Sequence, residues 1–218
     1  MNSTASASNS AGAASHQAAL IPHIVEPHPV TGLTNGKLGT WLFLSSEVML
    51  FGSLFSSYLL LRAGAAQWPP EGGLASDLLS VPLATFNTAV LITSSITMVL
   101  AWAGLKSGSL ARFRVAMGAT ILLAFVFLAV KYVEYSQKVH AGHLPSTNNF
   151  YAIYFALTGL HGLHIVAGIL VNTYLLTLGS ALWKTNAEQF TNRVENAGLY
   201  WHFVDLVWIF LFPALYLI

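Results

Sequence analysis

Five ionisable side chains that could do chemistry lie within apolar stretches of this chain: Glu47, His161, His164, His202 and Asp205. The two members of each pair, His161 with His164 and His202 with Asp205, are three residues apart and would share one helix face. Two histidines on one face could bind a metal or a haem iron. A carboxyl at membrane depth could relay a proton or bind a lipid headgroup. Because ionisable groups are costly in lipid, we expect them to face protein.

Each of these features also has a purely structural interpretation. Glu47 lies nine residues after Leu38, roughly 13 Å along a helix, where a neutral or paired carboxyl in a helix interface is equally expected. For the two histidines of the fourth stretch we favour bonds to carboxylates such as Glu47, Glu134 or Asp205. A metal site needs a third firm ligand, and none occurs at a fixed spacing. Lys131 and Glu134, three residues apart, could form an interfacial pair near the outer membrane surface.

The composition is that of an integral membrane protein. Of the 218 residues, 55% are hydrophobic and 8% are charged, compared with roughly 25% charged residues in soluble domains. The net charge of +1 gives no reason to expect a nucleic acid partner. The chain contains no cysteine, which excludes disulfides, thiolate metal sites and cysteine nucleophiles.

Five apolar stretches reach the roughly 20 residues that a helix needs to cross the hydrocarbon core. Since no alternating barrel pattern is visible, they predict an all-α membrane protein, a bundle of five transmembrane helices. The predicted spans are residues 38–61, 82–104, 113–133, 150–178 and 196–217. Residues 37–218 would form this membrane domain. Residues 1–36, rich in Ala, Ser and Asn and then in Pro and His, are predicted to be a disordered cytoplasmic tail.

Basic residues predict how the bundle lies in the membrane. With the N-terminus inside, six of them lie on the inner side and three on the outer side. The inner set is Lys37, Lys106, Arg112, Arg114, Lys184 and Arg193, and the outer set is Arg62, Lys131 and Lys138. This bias favours a cytoplasmic N-terminus and a C-terminus on the outer side.

Three motifs in order make the chain resemble subunit III of the haem–copper terminal oxidases. They are SSEVM at residues 45–49, GLHGLH at residues 159–164 and YWHFVDLVW at residues 200–208. The resemblance runs from residue 38 to residue 218. It implies a helical subunit without a cofactor of its own in a bacterial plasma membrane complex. In that family subunit I holds the haems and copper, subunit II is a further partner, and subunit III supports proton uptake, turnover stability and phospholipid binding.

The resemblance also assigns roles to residues. Glu47 matches the family's buried carboxylate, and the two histidine-containing pairs match internal polar network residues rather than metal ligands. Lys184 and Arg193 are the remaining candidates for contacts with lipid headgroups. Many members have seven spans, and this chain lacks the first two, which normally form one wall of the lipid cleft.

The sequence therefore predicts a non-catalytic subunit III, with a cytochrome c oxidase favoured and a quinol oxidase or nitric oxide reductase as alternatives. Two further hypotheses come from other classes of protein. One is a free-standing membrane cytochrome b with haem ligands among His161, His164 and His202. The other is an autonomous proton-coupled transporter that uses Glu47.

Overall fold

The computed structural model describes residue 32, residues 34–70, residue 72 and residues 78–217. Most of the predicted tail, residues 1–36, lies outside these residues. The chain from Gly36 onward forms one compact unit.

Five long helices build this unit, and each is long and apolar enough to cross a membrane. They are α1 (Asn35–Gly64), α2 (Val81–Lys106), α3 (Leu110–His140), α4 (Asn149–Leu176) and α5 (Ala187–Phe212). A short 3₁₀ helix, Gly179–Lys184, precedes α5, and a π-helical turn, Pro213–Leu217, continues it. The described part of the chain contains no strand. The predicted fold class, an all-α membrane protein with five spanning helices, is confirmed.

Two helices extend well beyond the predicted spans. Helix α5 begins at Ala187 rather than near residue 196, and α3 continues to His140 rather than ending near residue 133. Hydropathy marks only the part of a helix that crosses hydrocarbon, whereas the helix itself runs on until a polar cap ends it. At the start of α5 the Asn186 side chain accepts the backbone N–H of Gln189 at 2.9 Å.

Helix α5 lies between α2 and α4. Its two fully buried tryptophans donate their indole N–H groups to α2, Trp201 to Ser94 at 3.1 Å and Trp208 to Thr88 at 3.0 Å. On the α4 side, Trp201 packs directly against Gly168. A Cβ atom at Gly168 would lie 2.6 Å from Cζ3 of Trp201. The absence of a side chain at this position allows α4 and α5 to approach closely.

Helix α1 packs less completely than the others. Its buried residues are Leu44, Phe51 and Tyr58, and their seven-residue spacing places them in one narrow stripe along the helix. The Tyr58 hydroxyl donates to the Ala214 carbonyl at 2.6 Å, which fastens the far end of α1 to the π-helical turn after α5. Elsewhere on α1, Leu42, Met49 and Leu60 are 66%, 78% and 74% exposed.

We expect Gly168→Ala to lower the free energy of unfolding by about 1–3 kcal/mol, since overpacking a filled interface forces side chains out of place. Trp201 cannot yield easily because its indole is buried and hydrogen-bonded to Ser94. The matched control is Gly162→Ala on the same helix, where a Cβ meets nothing within 4 Å. Thermal unfolding in detergent, followed by tryptophan fluorescence, measures both variants. Equal stability of the two would contradict the close approach of α4 and α5.

Candidate functional site

Glu47 and His164 form a pair that joins α1 to α4. The carboxyl Oε2 of Glu47 lies 2.9 Å from Nε2 of His164, and the two side chains are 14% and 13% exposed. The other ring nitrogen of His164, Nδ1, lies 2.8 Å from the Leu160 carbonyl on its own helix. Phe51 packs edge-on against the imidazole, with ring centroids 5.2 Å apart. Tyr200 of α5 donates its hydroxyl to the His164 carbonyl at 2.9 Å.

This geometry fixes how the pair carries protons. A carbonyl can only accept a hydrogen bond, so Nδ1 of His164 must be protonated to contact Leu160. The contact between Nε2 and the Glu47 carboxyl then needs one further proton, which resides either on the imidazole or on the carboxyl. In either form the pair has no net charge and shares one proton.

His202 and Asp205 lie at the contact between α5 and α2 and do not bond to each other. Nδ1 of His202 is 2.7 Å from the Ser95 hydroxyl. Both carboxyl oxygens of Asp205 are buried and have no hydrogen-bond partner among the described residues. Asp205 lies beside the same serine. Ser95 is thus the polar group on α2 that both residues face.

His161 is enclosed by aromatic rings. It stacks on Trp208 with ring centroids 5.2 Å apart and meets Phe127 edge-on at 5.7 Å. Neither ring nitrogen has a hydrogen-bond partner in the described part of the chain. A carboxylate partner, which we expected for both histidines of α4, is therefore present for His164 and missing for His161.

The five predicted site residues are consequently separated into three places in the bundle rather than one connected network. This separation also bears on the cytochrome b hypothesis. Both ring nitrogens of His164 have hydrogen-bond partners, and Nδ1 of His202 contacts Ser95 of α2, whereas haem ligation across a bundle needs a free imidazole nitrogen on each of two facing helices. Within the described residues, no three metal-ligating side chains come together.

Lys131 and Glu134 form an enclosed ion pair at 2.9 Å, with side chains only 10% and 2% exposed. Lys131 also donates to the Tyr216 hydroxyl at 2.5 Å and lies over the Trp208 ring at 4.7 Å. Glu134 accepts hydrogen bonds from Tyr154 at 3.0 Å and from Tyr216 at 2.7 Å. The predicted interfacial pair is thus buried inside the bundle, where α3, α4 and the end of α5 meet.

The two tyrosines of this cluster were not identified as site residues from the sequence. Tyr216 has the position near a span end that is typical of an interfacial anchor, yet it is fully buried. The sequence does contain a signal for Tyr154. It precedes His161 by seven residues and therefore lies on the same buried face of α4.

Arg193 and Lys184, the predicted headgroup contacts, have different surroundings. Arg193 lines a groove of about 670 Å³ between α1, α4 and α5. Lys184 is exposed at the end of the 3₁₀ helix and does not line this groove. The polar members of the groove wall besides Arg193 are Thr40, Tyr174, Asn196 and Tyr200. An ion pair between Lys37 and Glu195, at 2.5 Å, joins α1 to α5 near the same end of the bundle.

Taken together, the fold and these sites define a multispan helical membrane protein with two paired sites inside the bundle, Glu47–His164 and Lys131–Glu134. Residues 24–218 match the family model described as cytochrome c oxidase subunit III, and the chain belongs to this family. The family comprises the non-catalytic subunit III of haem–copper oxidases, so the predicted family is confirmed.

Individual relatives agree with this assignment. The chain is 36% identical over 184 residues to cytochrome c oxidase subunit 3 of Bacillus sp. (strain PS3), covering 84% of this chain and 86% of the relative. It is 33% identical over 184 residues to cytochrome bo(3) ubiquinol oxidase subunit 3 of Pseudomonas aeruginosa, covering 84% of this chain and 85% of that relative. It is 34% identical over 186 residues to heme-copper oxidase subunit I+III of Aeropyrum pernix, covering 82% of this chain and 22% of that relative.

We expect Lys131→Met to destabilise the chain by about 3–5 kcal/mol, because it leaves the buried Glu134 carboxylate without its counter-ion. Combining Lys131→Met with Glu134→Leu should recover most of this loss. The control is Lys37→Met, whose ion pair with Glu195 has side chains 33% and 28% exposed and is worth at most about 1 kcal/mol. Unfolding in detergent measures the stability of all three variants. A double variant no more stable than Lys131→Met alone would contradict this account.

Proposed function

We propose that the chain is subunit III of a bacterial proton-pumping cytochrome c oxidase, bound beside the haem-bearing subunit I, with subunit II as a further partner. Its role is to support proton uptake by subunit I and to preserve its activity during turnover. The Glu47–His164 pair carries this proposal, since it fastens α1 to the bundle and shares one proton within the membrane.

The distribution of charge supports a place in the bacterial inner membrane with the N-terminus in the cytoplasm. Six basic residues lie on the side where α1, α3 and α5 begin and where α2 and α4 end. The opposite side carries three basic residues, and one of these, Lys131, is buried in an ion pair. An excess of Lys and Arg in short loops favours the cytoplasmic side.

The groove beside Arg193 supports phospholipid binding. Its walls are largely apolar and suit an acyl chain, while the Arg193 guanidinium offers donors to a phosphate. A lipid held there would fill the space between α1, α4 and α5 and strengthen the attachment of α1. The fused relative named subunit I+III supports a place next to subunit I.

The Pseudomonas aeruginosa relative favours a second candidate, subunit III of a quinol oxidase. Purification of the complex in mild detergent separates the candidates. We expect a larger, haem-bearing subunit to co-purify and the chain to be colourless once stripped from it. Peptide identification of that subunit then decides between a cytochrome c oxidase, a quinol oxidase and a nitric oxide reductase. A chain that purifies alone with a haem spectrum would overturn the proposal.

Glu47→Gln should leave an assembled complex that loses activity faster during sustained turnover. The glutamine amide can donate to Nε2 of His164 and keep the contact, but the shared proton of the pair is lost. The control is Ser57→Ala, an exposed serine of α1 that bonds only to its own helix at the Ser53 carbonyl. Haem content, phospholipid content and oxygen consumption over many turnovers are measured. If all three match the unmodified complex, Glu47 has no part in the function.

Arg193→Gln should lower the phospholipid that stays bound to the purified chain, because the groove loses its cationic donor. Arg114→Gln provides the control, since Arg114 is an exposed residue at the same end of the bundle but lines no part of the groove. Phosphorus analysis and lipid mass spectrometry measure the retained lipid. Equal lipid in both variants would remove Arg193 as a headgroup contact.

A further inference from the structure

His202 of α5 combines a position within a membrane span with an incompletely buried side chain. It lies six residues inside the predicted span 196–217, about 9 Å along the helix from the start of that span, yet its side chain is only half-buried within this chain. Its Nδ1 is bonded to Ser95. Its Nε2 is not fully buried, and it has no hydrogen-bond partner among the described residues. An accessible imidazole nitrogen within the hydrocarbon core calls for a protein partner.

The surroundings of His202 form one lateral face of the bundle. Ile92 and Val99 of α2 flank Ser95 and are each 47% exposed, and Leu206 of α5, one turn after His202, is 52% exposed. Leu206 also lines an apolar groove of about 480 Å³ between α5 and α1. The groove and the polar spot are therefore continuous. We name this surface the α2–α5–α1 face.

We propose that the α2–α5–α1 face docks a transmembrane helix of the haem-bearing subunit, which presents a hydrogen-bonding side chain to Nε2 of His202. This inference rests on the proposed function and adds the surface through which the two subunits meet. Acyl chains could fill the apolar groove, but they have no group that bonds to an imidazole, and headgroups lie outside the hydrocarbon core. A protein helix can supply both the apolar contact and the hydrogen bond.

The absence of native cysteine makes this face testable one residue at a time. Ile92→Cys and Leu206→Cys place a thiol on the proposed face. Leu122→Cys on α3 and Leu163→Cys on α4 are controls at positions 65% and 66% exposed. Each variant is labelled in native membranes with a thiol-reactive benzophenone, irradiated and analysed by mass spectrometry. We expect adducts with the haem-bearing subunit from residues 92 and 206 and none from residues 122 and 163.

The alternatives have distinct outcomes. Adducts with that subunit from residue 122 or 163, but not from 92 and 206, would overturn the docking face and leave the proposed function intact. Lipid adducts alone at 92 and 206, with the haem-bearing subunit still co-purifying, would also overturn it. If no haem-bearing subunit co-purifies with any variant, the proposed function itself fails.

A second pair of variants tests the hydrogen bond at His202. His202→Leu should reduce the haem retained per chain after a detergent wash roughly three- to tenfold, the range expected for one hydrogen bond between membrane helices. His202→Gln, which keeps a donor and an acceptor, should retain most of it. Unfolding of the isolated chain is measured in parallel, so that loss of the partner is distinguished from loss of the fold. Equal haem retention in both variants would contradict a bond to Nε2.

Discussion

The hydrocarbon core offers no hydrogen-bonding partners, and this constraint explains how Lys131, Glu134, Glu47 and His164 are paired within the membrane spans. Lys131 and Glu134 are brought together with two tyrosine hydroxyls, so that each charge is neutralised and bonded inside the bundle. Glu47 meets His164 across a helix interface for the same reason. Each pair also joins different helices or stabilises the place where they meet. The groups that would be most unfavourable in lipid thus become the specific contacts between helices.

Helix α5 carries most of this organisation. Trp201 and Trp208 bond to α2 on one side, while Gly168 of α4 admits Trp201 on the other. Trp208 also lies under the Lys131 ammonium and against the His161 ring. Small residues and hydroxyls on the neighbouring helices therefore match large aromatic residues on α5. This complementarity sets the depth and rotation of each helix, on which the polar contacts depend.

Helix α1 stands apart, because a narrow stripe and a few polar contacts hold it to the rest. The Glu47–His164 pair in its middle and the Lys37–Glu195 ion pair near its start are two of the contacts that hold it. Apolar grooves beside it offer space for lipid or for another helix. In a family of non-catalytic oxidase subunits, such a surface suits a chain that acts by contact with its neighbours. On the adjoining face, His202 is hydrogen-bonded to Ser95 but incompletely covered, which also suits contact with a neighbouring subunit.

The sequence by itself determined the number of helices and their approximate extent, because hydropathy over about 20 residues is a property of one segment. It also identified the Lys131–Glu134 spacing, since both residues lie on one helix. Only the tertiary structure decided which partner the other groups meet. Glu47 reaches His164 across 117 positions of the chain, whereas His161, on the same helix as His164, stacks on Trp208 without a hydrogen bond. Such contacts depend on the relative rotation and depth of packed helices, which no single segment encodes.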